Sequence, residues 1–177
     1  MKRIVLSAVA LLLVLNLCSC VLIQRLYLGL TDLAMMGSFA SQLFSSIQDK
    51  DKERFSETFS AYVSSADGFE SDIEKLFGYI KGSVISWNED GSPVEFDSAG
   101  ENGKIKEMCL WYDLITDEEH YYVFLNFVAV NSIDNSDEGI NSLWIVEKND
   151  AAEWNMTIED MAAVKGISIP FYDGKGE

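Results

Sequence analysis

The apolar residues change their spacing halfway along this 177-residue chain, and that change constrains the fold more than any single motif. In "LAMMGSFASQLFSSIQ", Met36, Phe39, Ala40, Leu43, Phe44 and Ile47 recur every three or four positions, the stripe of an amphipathic helix. "DKDKERFSETFSAYV" continues with Phe55 and Phe59 one turn apart, and Asp49 or Asp51 stands where an N-cap belongs. "DGFESDIEKLFGYIKG" sets Phe69, Ile73, Leu76, Phe77 and Ile80 on one stripe and stops at Gly82. Three helices are expected up to that point.

Beyond Gly82 the period becomes two. "SVISW" and "SPVEFDSAG" read as short strands on either side of a turn, "NEDGSP", where Gly91 and Pro93 break the run. "GKIKEMCLWYDLIT", "HYYVFLNFVAVNS" and "INSLWIVEKN" read as longer strands, rich in β-branched and aromatic residues. Helices first and antiparallel strands second define an α+β domain, its N-terminal helices packed on one sheet face. Phe44, Phe69, Phe77 and Trp111 are expected to share that core. A short helix from Ile158 to Val164 and the strand-like "ISIPFY" complete a C-terminal extension over 149–177.

The N-terminus reads as an address. Lys2 and Arg3 precede Ile4–Leu17, which is apolar apart from Ser7 and Asn16, the two leading regions of a secretory signal. Leu17-Cys18-Ser19-Cys20 then resembles a bacterial lipobox, with Leu17 and Ser19 three and one before the cysteine; Cys18 is an unusual occupant between them. Cys20 is the expected site of lipidation, because its thiol is the nucleophile that takes up diacylglycerol. The chain divides into a signal peptide over 1–19, a tether over 20–32 and a single domain over 33–177, its core ending near 148. The competing reading is an uncleaved anchor, since Ile4–Ile23 matches the ~20 residues that span a bilayer. Both readings put the domain outside the cytoplasm, on the cell membrane of a bacterium.

Charge narrows the partners. The chain has 13 Lys and Arg against 29 Asp and Glu, a formal net charge of −16, and loss of Lys2 and Arg3 takes it to −18. Nucleic acid is excluded as a ligand class, because phosphate binding depends on Lys and Arg. Anionic headgroups would repel the domain as well, which suits tethering by acyl chains. With Cys20 acylated and Cys18 removed, Cys109 is the one thiol left, so no intrachain disulfide can form; its alternating apolar setting reads as core.

Three stretches together look familiar: "DKDKERFSETFS", "DIEKLFGYIKGSVISWNEDG" and "YYVFLNFVAVNSIDNSDEGINSLWIV". They resemble the bacterial lipoproteins grouped as domain of unknown function 5104, over about Leu33–Lys148. The resemblance implies a Gram-positive source. That family is similar to the nuclear transport factor 2-like, or cystatin-like, superfamily. The resemblance further implies helices laid into a strongly bent antiparallel sheet, forming a cone with a pocket. Many such domains bind small ligands, some form homodimers through the sheet, and a few are enzymes. It transfers no site residues.

Candidate chemistry is sparse. Asp113 alternates with Cys109 and Trp111 and shares their face, so it is the carboxylate on which a small enzyme of this fold would rely. His120, the sole histidine, follows "TDEE" and is expected at a turn without an orienting partner. "DNSDEG" fails the spacing of a calcium loop, with Glu138 and Ile145 at the wrong places, and reads as a hairpin loop. No zinc spacing, phosphate loop or Ser-His-Asp order occurs, so neither metal nor cofactor is expected. Trp111, Asp113 and Tyr122 are the candidate pocket residues. The function expected is a tethered, non-catalytic domain that binds a small ligand or a protein. The alternatives are an enzyme using Asp113 and a structural accessory that presents its sheet to a partner.

Overall fold

The computed structural model describes residues 33–101, 103–151 and 156–170. The expected signal peptide and tether, and Cys20 with them, lie outside the described residues. Two compact units divide the chain, Met1–Gly37 and Ser38–Glu177. Residues 33–37 of the first are helical, and the second carries the sheet and the other helices. No helix among the described residues is long and apolar enough to cross a membrane.

The helical half holds α1 (33–49), α2 (Lys52–Ser56), α3 (Ala61–Ser64) and α4 (Phe69–Tyr79). Asp51, not Asp49, is the cap of α2: its side chain accepts from the backbone N–H of Arg54 at 3.0 Å. The single helix expected over "DKDKERFSETFSAYV" is two short ones. Between them Phe59 leaves the helical path and bridges to Ile140, with Ser60 N donating to Ile140 O and Ile140 N to Thr58 O. Ser60 then caps α3 and donates from its hydroxyl to Asn141 at 2.6 Å. Gly139 makes the approach feasible. Its φ is +123°, and a Cβ there would lie 2.9 Å from Ser60 N.

The sheet is formed by β1 (Val84–Gly100), β2 (Gly103–Thr116), β3 (His120–Asn131), β4 (Gly139–Glu147) and β5 (Gly166–Ser168), side by side in that order. The first four make an antiparallel meander and β5 pairs parallel to β4, so the sheet is open and mixed rather than wholly antiparallel. The two short strands expected before residue 100 are one. "NEDGSP" does not reverse the chain. Asp90 pairs with Trp111 and Val94 with Cys109, so the extra residues bulge out of an edge strand, the place where Pro93 costs no ladder hydrogen bond.

Alternation along β2 sorts side chains into two faces. Met108, Leu110, Tyr112 and Leu114 are buried on the helix side. There Phe44 lies 5.2 Å from Tyr112 and 5.7 Å from Trp87, and Phe39 lies 5.1 Å from Phe127. Phe55 joins α2 to Phe59 and Phe77 at 5.3 and 5.4 Å, and Phe59 meets Phe69 at 5.0 Å. Phe77 is half-buried at the margin of this cluster. Trp111 is not part of it. As an odd-numbered residue of β2 it points to the opposite face, which overturns the shared core expected for it.

On that opposite face Cys109, Phe124, Trp144 and Met161 form a second, smaller cluster, with Phe96, Trp111, Ile158 and Ala162 against it. Met161, Ile158 and Ala162 come from α5 (Ile158–Ala163), which starts with a capping box between Thr157 and Asp160. Trp144 Nε1 donates to Met161 O at 2.9 Å and pins α5 down.

Candidate functional site on the open sheet face

Three hairpin neighbours and one residue beyond β4 meet at the end of the open face remote from α5. The β2–β3 register sets Asp113 opposite Tyr122 and Ile115 opposite His120, so Asp113 and His120 are diagonal neighbours on one face. Lys148 comes just after β4, and its backbone N–H donates to His120 O at 2.7 Å, which brings its side chain to the same place. Lys148 Nζ donates to Asp113 Oδ1 at 2.9 Å and reaches Oδ2 at 3.3 Å. His120 Nε2 is 3.2 Å from Asp113 Oδ1, an ion-pair separation, yet it makes no hydrogen bond. The contact is therefore one of charge, available when the imidazole is protonated. Asp113 and His120 side chains are 26% and 35% exposed, so solvent screens the pair.

Tyr122 is held on both sides. Its ring lies 5.1 Å from that of Trp111 and 5.5 Å from Lys148 Nζ, and its hydroxyl donates to the Asp90 carboxylate. Trp111 in turn lies 5.1 Å from Phe124. The candidate residues Trp111, Asp113 and Tyr122 thus come together, with His120 and Lys148 beside them, but away from the helices. His120, the first residue of β3, stands half-buried where the hairpin turn runs into the strand, as expected, but with the Asp113 carboxylate beside it. Lys148 had no sequence signal of its own. Only the return of β4 beside β3 places it.

Toward the other end the face deepens into a groove of about 700 Å³ between the far half of the β1–β2 hairpin and α5. Phe96, Ile105 and Ala162 line its apolar part. Cys109 is buried beside it, and burial pushes its thiol up to about 11. It remains a protonated core residue, unsuited to nucleophilic work. A second hollow, of about 490 Å³, lies between α3, the start of α4 and β5. Where α1 and α4 meet the start of β1, between Ile47, Phe77, Ile80 and Val84, the hollow measures about 30 Å³, the size of a water molecule.

The remaining candidates resolve simply. In the "DNSDEG" loop, Asp134 accepts from Ser136, whose hydrogen bonds hold its carboxyl below the usual range. Glu138 and Asp137 accept from Asn131, so the loop's carboxylates are turned onto the loop itself. Among the described residues no group of three or more His, Cys, Asp or Glu is placed to hold a metal ion.

Helices covering one face of an open, mixed five-stranded sheet, with a polar cluster and a groove on the other, define an α+β domain. The chain belongs to the family described as Domain of unknown function (DUF5104), whose model matches residues 42–148, more than half of its length. Among curated proteins no match is found.

Proposed function

We propose that the protein is a membrane-anchored extracytoplasmic lipoprotein, acylated at Cys20, whose domain is a non-catalytic binding module of nuclear transport factor 2-like ancestry. Leu17-Cys18-Ser19-Cys20 after the apolar run supports the anchoring. Phe44, Tyr112 and Leu114 fill the space between α1 and the sheet, and the groove of about 700 Å³ lies on the open face, which supports binding at that face rather than inside a cone. Intact mass of the membrane-extracted protein tests the anchor. Loss of residues 1–19 with a diacylglyceryl addition is expected; a mature chain retaining Met1–Ser19 points to an uncleaved anchor instead.

One observation favours a second reading, a small enzyme: Asp113 stands beside His120. Against it, Lys148 engages both carboxylate oxygens in a solvent-exposed salt bridge, so the carboxylate already has a charge partner that is not a substrate. Asp113→Asn and His120→Asn variants that fold normally should keep whatever binding the wild type has. Loss of a turnover in Asp113→Asn with the fold intact decides for the enzyme.

A partner protein or second copy at the sheet is the third reading. Edge-to-edge pairing along β1 is opposed by its bulge, by Pro93 and by the charges of Glu89, Asp90, Glu95 and Asp97. A homodimer through the sheet would have to use the open face.

A further inference from the structure

Two Asp-Gly pairs lie among the described residues, and the fold treats them differently. Asp67 and Gly68 end the exposed turn over 65–68 that joins α3 to α4. Phe69 N donates to Ala66 O at 3.2 Å across this turn, but neither the Asp67 carboxylate nor the Gly68 N–H has a hydrogen bond or ion pair among the described residues. Gly68 stands at φ +88°, and a Cβ there would meet nothing within 4 Å, so the space around it is open. Asp90 and Gly91 lie instead within β1. There Asp90 pairs with Trp111 across the ladder, and its carboxylate accepts from the Tyr122 hydroxyl. A carboxyl group can close on the nitrogen of a following glycine, which has no side chain to obstruct it. Closure needs the side chain and the next peptide to rotate toward each other. An exposed turn allows that rotation, whereas a laddered strand with a bonded carboxylate resists it.

We propose that Asp67 is a modification site, isomerising spontaneously to isoaspartate in the folded protein, while the β1–β2 ladder and the Tyr122 hydroxyl protect Asp90. The Gly68 nitrogen adds to Cγ of Asp67. An N–Cγ bond forms and a Cγ–O bond breaks, and the oxygen leaves as water with the carboxyl proton and the N–H proton. Water then opens the five-membered imide at the Asp67 main-chain carbonyl carbon. The bond from that carbon to the Gly68 nitrogen breaks, hydroxide goes to the carbon and a proton to the nitrogen. The chain now runs through the former side chain, one backbone atom longer, and the old main-chain carbonyl is a free carboxylate. Only water takes part, and the product is an isomer of the starting chain. Asp67 and Phe69 both line the hollow between α3, the start of α4 and β5, so the longer backbone reshapes that hollow and the first turn of α4.

The full chain, held for several weeks in nonionic micelles at neutral pH and body temperature, tests this. Proteolytic digestion with electron-transfer fragmentation then distinguishes isoaspartate from aspartate at each position. Asn102-Gly103 and Asp173-Gly174, which include residues outside the described ones, are resolved at their own positions by the same fragments. Isoaspartate is expected at Asp67 and to form there roughly tenfold or more faster than at Asp90, the scale of one charged hydrogen bond that must break first. In concentrated urea the two rates should converge, because the dipeptides are the same. Tyr122→Phe keeps the ring and removes the hydroxyl; it should raise the rate at Asp90 and leave Asp67 unchanged. Absence of isoaspartate at Asp67, or equal rates at the two positions in the folded protein, overturns the proposal. Rates that stay unequal in urea overturn it too, since neighbouring residues and not the fold would then set the difference. An unchanged Asp90 in Tyr122→Phe overturns the protection assigned to that hydroxyl.

Discussion

On one side of β2, Leu110, Tyr112 and Leu114 are buried where Phe44 of α1 packs; one residue along, Trp111 and Asp113 look out on a face that a six-residue helix covers only in part. The strands are the same, so the difference lies in what closes each face. Helices bring long apolar stripes, and α1 packs closely enough to bury a Tyr112 hydroxyl that has no hydrogen-bond partner among the described residues. The open face keeps charged and half-buried groups, and keeps room. The main core and the polar cluster are in this way assigned to opposite sides of one sheet.

The sharpest test of that division is a pair of aromatic deletions. Phe44 is fully buried, and Phe44→Ala should cost about 3–5 kcal/mol in urea unfolding. Trp111→Ala, on the half-buried face, should cost less than half of that. Equal costs would mean that the open face carries as much of the core as the helix side.

Alkali probes the helix side next. Burial raises the hydroxyls of Tyr79, to about 12, and Tyr121, where α4 is tied to β3 and β4. Unfolded tyrosine ionises near 10, so between about 10 and 12 the native state holds protons that the unfolded state has lost. Stability should be intact below pH 10 and fall through this window. Part of the tyrosinate absorbance should then appear only together with loss of tertiary circular dichroism. Full ionisation in the folded protein would place these rings in water.

Cys109 gives a third comparison, since it lies on the open side yet under α5. With its thiol raised to about 11, alkylation at neutral pH should be slow and rise with denaturant in step with unfolding. Rapid labelling of the native protein would mean that α5 lifts from the sheet. The smallest effect belongs to the polar cluster. Asp113→Asn removes the ion pair with Lys148 and the contact with His120, whose side chains are 44% and 35% exposed, and should cost no more than about 1 kcal/mol. A larger loss would make this cluster structural.

Part of the fold is readable from residue order. Phe39, Leu43 and Phe44 recur at helical spacing, and α1 forms there. The common face of Cys109, Trp111 and Asp113 comes directly from alternation. Which face the helices choose does not, because β2 is apolar on both sides: Met108, Leu110 and Leu114 on one, Cys109 and Trp111 on the other. The polar cluster is half legible. Asp113 and His120 come close through the register of their own hairpin, whereas Lys148 arrives from a different strand.

The sequence alone determined that helices precede strands, that the chain is strongly acidic, and that Cys20 ends a lipobox-like run, because these depend on neighbours a few residues apart. Tertiary structure decided the rest. It split the second helix, since Phe59 gains a backbone bridge to Ile140 that local spacing cannot announce. It made β1 one bulged strand, since the ladder with β2 continues past Gly91 and Pro93. It also set Glu107 and Glu159 across one groove, since α5 packs on β2 more than forty residues back along the chain. Contacts between residues so far apart depend on which surfaces meet, and that is a property of the whole packed domain.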